Sequence, residues 1–200
     1  MENLTAIILF AISSTLTPGP NNIMVMASGA NHGITRSLPL LAGICFGFSS
    51  MLLLTGLGLG QILHLIPELH LIIKIIGISY LLYLAWLIAR SGDVTTSSDS
   101  NEPLSFIKGA LFQLTNAKSW IVSTGAVAAF TTAGATFYNQ NAILALIFFT
   151  ISFPCVGAWL FFGSSLRKAL KNPSRRRLFN YTMACLLVIS VIPVNTMIQH

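Results

Sequence analysis

Long apolar runs fill the chain, and short polar intervals separate them. A membrane-spanning helix needs roughly 20 predominantly apolar residues. Six stretches meet that length: Leu4 to Met26, Leu38 to Leu63, Leu69 to Ala89, one between Leu104 and Phe130, one between Ala142 and Gly163, and one between Leu178 and Ile198. The pattern predicts an all-α, polytopic integral membrane protein with six transmembrane helices in a single domain, 1–200. The interval Ser91 to Pro103, rich in Ser, Thr and Asp, is the one clear linker. It divides the chain into halves of about 1–90 and 104–200.

The first stretch contains its own interruption, Leu16-Thr17-Pro18-Gly19-Pro20-Asn21-Asn22-Ile23. Proline lacks an N–H and clashes with the preceding helical turn, so two prolines around a glycine stop a helix. In hydrocarbon the freed backbone groups need internal partners, so a broken helix persists only where protein or a water-filled cavity covers it. The restarted half-helix points free N–H groups and a partial positive charge at whatever lies beside Pro20. Asn21 and Asn22 are placed either to contact a solute or to cap the restarted helix.

The fourth stretch carries an echo, Leu114-Thr115-Asn116-Ala117-Lys118-Ser119-Trp120-Ile121. Aligned without gaps on 16–23, it shares the first two residues and the last. It reads either as one discontinuous helix, with Lys118 at membrane depth, or as an interfacial piece to Ala117 followed by a span from near Ser119. Each copy opens a set of three spans. Three is odd, so a duplicated unit crosses the membrane in the opposite sense, which is the 3+3 inverted-repeat plan of many secondary transporters.

Composition agrees with the pattern. Mean hydropathy is +0.77, and 8% of residues are charged, against about 25% in a soluble domain. The N-terminus has Glu2 and no basic residue before the apolar run, so it reads as an uncleaved span rather than a signal peptide. The net charge of +6 does not point to nucleic acid, because most basic residues sit in alternate loops: Arg36, then Arg90 and Lys108, then Arg167, Lys168, Lys171, Arg175, Arg176 and Arg177, while the opposite side carries only Lys74, within or beside the third stretch. Loops rich in Lys and Arg stay in the cytoplasm, which places both termini outside. The basic 167–177 loop also suits anionic lipid headgroups. Cys45, Cys155 and Cys185 lie in apolar stretches without metal-ligand spacing and read as packing residues. There is no Walker A sequence, and Gly56-Leu57-Gly58-Leu59-Gly60 lacks the strand context of a nucleotide fingerprint. No cofactor is called for. Gly43 and Gly47 form a small-xxx-small pair suited to close helix approach.

At these residues the chain resembles the LysE/RhtB family of bacterial amino-acid exporters. The resemblance covers length, spans, Thr17-Pro18-Gly19-Pro20-Asn21 in the first span and the basic loop before the sixth. Thr17 to Ile23, Asn31-His32-Gly33 and Leu41-Ala42-Gly43 are similar to the branch that exports cysteine and O-acetylserine. Where the family often shows Asn-Pro-Lys before an aromatic, this chain reads Asn116-Ala117-Lys118-Ser119-Trp120, without the proline. The resemblance implies an inner-membrane exporter of an amino acid or derivative, exchanging it for protons, and is compatible with a homo-oligomer.

The residues refine the substrate. An amino acid is a zwitterion whose carboxylate suits the half-helix start at Asn21 and Asn22. Its ammonium suits Asn116 and the freed carbonyls near Thr17. Lys118 balances charge, and Thr17, Pro18, Gly19 and Pro20 shape the break. The five acidic residues, Glu2, Glu68, Asp93, Asp99 and Glu102, all fall outside the apolar stretches. A lysine or arginine substrate would leave its side-chain cation unpaired in a low-dielectric site, so the expected substrate is neutral and small. His64, Glu68 and His70 cluster at the outer end of the second and third stretches and read as solvated loop residues or as a proton relay. The rival readings are an importer or channel on the same scaffold, and a membrane-embedded enzyme, for which no acid/base pair or activated nucleophile is evident.

Overall fold

The computed structural model describes residues 4–59, 67–91 and 102–190, and among them every regular element is helical. The first apolar stretch forms two helices, α1 (Leu4–Leu16) and α2 (Pro20–His32), of 13 residues each. At 1.5 Å per residue each is about 20 Å long, too short to cross a hydrocarbon core of about 30 Å alone. Then follow α3 (Ile34–Leu54), a π turn (Thr55–Leu59) and α4 (Pro67–Arg90). The fourth stretch is also divided, into α5 (Phe106–Thr115) and α6 (Ala117–Phe130). The chain closes with α7 (Phe137–Leu166), a 3-10 turn (Ala169–Lys171) and α8 (Pro173–Ile189). Among the described residues, two helices are long and apolar enough to cross a membrane: Ile34–Gly58 and Phe137–Leu166.

The long α7 is the central post. It packs against α1, α2 and α3, while α5 packs on α3 and α8 on α4. Glycines set the two closest crossings. A Cβ added at Gly43 would lie 2.0 Å from the Phe106 carbonyl oxygen, and one at Gly163 would lie 2.1 Å from that of Met26. Only hydrogen fits at either point. The Gly43–Gly47 pair therefore serves helix packing, as its spacing predicts. Between α2 and α3 the chain reverses in one residue, Gly33, at φ 82 and ψ 177. L-residues are excluded from that region by their Cβ.

Two buried apolar clusters result. One joins α2, α3, α4, α7 and α8 around Met24, Leu40, Leu84, Leu160 and Leu187. The other joins α1, α3, α6 and α7 around Ile7, Phe48, Ala126 and Phe148. The outer surface is itself apolar, with Leu9, Phe46, Ile107, Ile121, Leu146 and Phe161 all more than half exposed. Such a surface belongs against lipid rather than water. On α4, Tyr80, Tyr83 and Trp86 stack in series with Arg90 over the Trp86 ring, 4.7 Å from its centroid. Tyr83 faces outward at 42% exposure, which fits an interfacial aromatic anchor rather than a cavity wall.

Two boundaries differ from the hydropathy reading. α8 begins at Pro173, so Arg175, Arg176 and Arg177 lie within its first five residues instead of in a loop. Asn172 caps that turn by accepting from the Ser174 N–H (2.9 Å), and Pro173 takes the first helical position, where its missing N–H is harmless. α7 begins five residues before Ala142, at Phe137. The side chains of His64, Glu68 and His70 lie outside the described residues, as do most of the 91–103 linker and Pro193.

Candidate functional site

The two helix breaks meet. The α1–α2 break lies between Leu16 and Pro20, and Gly19 there is fully extended (φ −174, ψ 179). The α5–α6 break is a single residue, Asn116, at φ −89 and ψ 103. No proline is needed at the second break because Asn116 caps α6. Its Oδ1 accepts from the Lys118 N–H (3.1 Å), and the Trp120 indole N–H donates to the Leu114 carbonyl (2.9 Å). The fourth stretch is thus broken at Asn116 into two helices. Lys118 crosses to the first break, where its ammonium donates to the Thr17 carbonyl at 2.6 Å.

An amide clamp joins the breaks. Asn21 Nδ2 donates to Gln113 Oε1 (3.0 Å), and Gln113 Nε2 returns a bond to Asn21 Oδ1 (2.9 Å). Gln113 is fully buried, donates also to the Gly109 carbonyl, and accepts from the Ser119 hydroxyl at 2.8 Å. The carbonyls of Thr15, Leu16 and Thr17 at the first break are likewise taken. Asn22 Nδ2 donates to Thr15 (3.1 Å) and Thr17 (2.9 Å), and the Trp159 indole donates to Leu16 (3.1 Å). Capping of α2 by Asn21 or Asn22 is therefore corrected. Its N-cap is Gly19, with no side-chain cap, and Asn22 seals the preceding helix's carbonyl end instead. The physical reason is that Asn22 already lies inside α2, with its amide one turn from the orphan carbonyls.

Between the breaks lies a cavity of about 40 Å³, room for a few waters. It is bounded by Gly19, Asn21, Asn22, Asn116, Lys118 and Ser119, with Phe48 and Val156 from the two apolar clusters and Ser152 from α7. The ladder of α2 opens with Ile23 N–H to Gly19 O (3.0 Å), so the N–H groups of Asn21 and Asn22 precede it and have no intrahelical partner. The first turns of α2 and α6 both border the cavity, and each presents a positive dipole end. The Ser152 hydroxyl, buried and without a hydrogen-bond partner, lines the same space. Lys118 lies across Gly19: a Cβ there would be 3.0 Å from its Cδ and 3.3 Å from its Nζ.

Of the residues singled out in sequence, Gly19, Asn21, Asn22, Asn116 and Lys118 line the cavity. Thr17 contributes its carbonyl. Pro18 is exposed and Pro20 is buried at the first position of α2; both shape the break without lining the space. Gln113, Ser152 and Trp159 were not anticipated. Gln113 carried a usable signal, being an amide in an apolar stretch one helical turn before Asn116.

A second cavity, about 290 Å³, opens at the other end of α2 beside Asn31, His32, Ser91, Glu102 and Lys108. There Asn31 and Asn180 exchange amide hydrogen bonds (2.7 and 3.1 Å), Asn180 also donates to the Ser91 carbonyl, and the Ser91 hydroxyl meets His32 Nε2 at 3.1 Å. Burial, with Arg36 and Arg167 nearby, lowers the His32 pKa from 6.5 to about 4.

A profile of LysE type translocators matches residues 12–193. The chain belongs to the LysE family. It is a membrane transporter, not an enzyme. Curated relatives of this LysE-type translocator are named cysteine/O-acetylserine efflux proteins. That of Klebsiella pneumoniae is 34% identical over 127 residues, 64% of each chain. Those of Salmonella typhimurium and Escherichia coli O1:K1 are 28% and 29% identical over 198 residues, 96% of each chain. No solved structure matches the chain.

Proposed function

We propose that this LysE-type translocator exports small neutral amino acids or their derivatives, of the cysteine, O-acetylserine or homoserine kind, from the bacterial cytoplasm in exchange for protons. The observation that carries this reading is the cavity between the two helix breaks. Two half-helix N-termini bordering one space make an anion site, and a transporter that binds solute at paired discontinuous helices is the secondary-transporter pattern. The substrate's carboxylate takes the N–H groups of Asn21 and Asn22 and the Ser152 hydroxyl. Its ammonium takes the Thr17 carbonyl. Lys118 supplies the cation at that carbonyl when substrate is absent, and Asn116 fixes the second helix start. With about 40 Å³ between the breaks, the site must widen to take a substrate, and alternating access opens it to one side at a time.

The indole seals support a repeat. Leu16 and Leu114 are equivalent in the ungapped alignment, and the carbonyl of each receives a tryptophan N–H. Six spans in two inverted sets of three place these equivalent breaks together at the repeat interface. Basic residues gathered at and between alternate helix ends put both termini in the periplasm. The 290 Å³ cavity beside His32 and Lys108 then opens toward the cytoplasm as an antechamber.

The test is counterflow in proteoliposomes with labelled cysteine, O-acetylserine, serine, threonine, homoserine, leucine and lysine. Uptake of the small neutral members with lysine inert supports the reading. Lysine transport refutes the charge argument, and movement of none refutes amino-acid export.

A further inference from the structure

We propose that Lys118 carries the coupling proton, and that it does so by competing with the substrate's ammonium for the Thr17 carbonyl. The proposal rests on the export reading above and names the group through which the proton acts. Its basis is geometric. The Lys118 ammonium lies 2.6 Å from the Thr17 oxygen, in the position a substrate ammonium needs. The other lone pair of that oxygen is held by Asn22 Nδ2 at 2.9 Å. A carbonyl oxygen has two lone pairs, so substrate and protonated Lys118 exclude each other there. The Lys118 stem also lies across Gly19 and fills space that a solute would take.

Among the described residues, no other ionisable group lines the cavity around Lys118. The cavity wall around it comes from Ser14 and Thr15 of α1, Asn21 and Asn22 of α2, Phe48 of α3, Ser152 of α7, and Asn116 and Ser119 at its own helix start. None of these titrates near neutrality. A lone cation at depth without a counter-ion is expensive to hold, and the same cation without its proton is an uncharged amine that can swing aside.

The cycle balances as one proton inward for one zwitterion outward. With the site open to the cytoplasm, the Lys118 ammonium gives its proton to water and the neutral amine leaves the Thr17 carbonyl. Substrate binds, its ammonium takes that carbonyl, and the site opens outward. A proton from outside then recharges Lys118, which reclaims the carbonyl and displaces the substrate. The charged, empty carrier returns.

Proteoliposomes holding the full chain test this with labelled cysteine under reducing conditions. Two readouts are needed: counterflow without a pH gradient, and accumulation into an acidic lumen. Wild type shows both. Lys118→Gln removes the competing cation from the cavity, so whatever rate of counterflow remains is uncoupled from the proton and the accumulation ratio falls to about one. Lys118→Arg, whose guanidinium keeps its proton at any working pH, loses counterflow by about tenfold or more. In wild type, lowering pH on the binding side raises KM at constant maximal rate, and Lys118→Gln abolishes that dependence. Proton-driven accumulation by Lys118→Gln would overturn the proposal. So would a wild-type KM indifferent to pH. Absence of counterflow in wild type would instead strike the export reading itself.

Discussion

The clamp between Asn21 and Gln113 predicts a measurable coupling between the two halves of the chain. Gln113 is fully buried and its amide uses both ends: it donates to Asn21 and Gly109 and accepts from Asn21 and Ser119. Gln113→Leu keeps the volume and removes every partner, stranding both ends of the Asn21 amide. A buried polar group left unpaired costs about 1–3 kcal/mol. Measured interhelical hydrogen bonds in membranes average about 0.6 kcal/mol and reach about 1.7. This pair makes two bonds, so a coupling energy of about 1–2 kcal/mol is expected in a double-mutant cycle with Asn21→Leu. The Ser119 hydroxyl loses its acceptor in both Gln113 variants, so that loss cancels in the cycle. Equilibrium unfolding by SDS titration in mixed micelles gives the four stabilities. The double variant should lie well above the sum of the single losses. Strict additivity, within about 0.3 kcal/mol, would refute the clamp as the tie between the breaks.

Three further outcomes follow from the same structure. Replacing Pro18, Gly19 and Pro20 together with alanine restores helix-forming residues across the first break, so membrane insertion should persist and counterflow should vanish; full transport by this variant would remove the break from the mechanism. Gly43→Leu places a side chain where even a Cβ meets the Phe106 carbonyl at 2.0 Å, so α3 and α5 must separate, with a loss of about 1–3 kcal/mol in the same SDS titration. His32 is held neutral in the folded protein, with its pKa lowered from 6.5 to about 4. The unfolded chain therefore binds the extra proton between those values, and stability present above pH 6.5 declines by about 3 kcal/mol as pH falls to 4. His32→Gln should flatten that part of a stability–pH curve measured in detergent, and an unchanged slope would contradict the assignment.

The elements that sequence exposed are those with local causes. Pro18-Gly19-Pro20 stops a helix wherever it stands, and Gly43-xxx-Gly47 permits a close crossing whatever helix supplies the partner. The second break was visible as an echo, but its sharpness was not, because it depends on the Asn116 cap and the Trp120 indole rather than on a proline. Roles that depend on tertiary contact were hidden. Trp159 reaches the Leu16 carbonyl from another helix, and nothing in the sequence around Trp159 announces that partner. Asn22 shows the limit most clearly. Its type and position fit an N-cap, yet the fold turns its amide back to Thr15 and Thr17. The polar residue was legible as important, while the group it serves was set by the angle between two half-helices.

The way orphan backbone groups are satisfied at the first break selects the ligand. Breaking a helix frees carbonyls on one side and N–H groups on the other. Here the carbonyls of Thr15, Leu16 and Thr17 are taken by Asn22, Trp159 and Lys118. On the other side Gly19 offers no side-chain cap, the Asn21 and Asn22 N–H groups precede the ladder, and the Ser152 hydroxyl is unpartnered. A fault repaired for stability alone would be sealed on both sides. Here the acceptors of Thr15, Leu16 and Thr17 are taken while the donors of Asn21, Asn22 and Ser152 stand open, so the ligand group these residues accept without rearrangement is an anion. A carboxylate enters the site as it stands, whereas an ammonium first has to displace Lys118. Fragments of cysteine separate the two requirements. 3-Mercaptopropionate retains the carboxylate and should inhibit cysteine counterflow, and cysteamine, which retains only the amine, should inhibit at least about tenfold less. Inhibition by cysteamine at equal or lower concentration would mean that the open donors are not where the substrate binds, and the recognition scheme would have to be rebuilt around the Thr17 carbonyl alone.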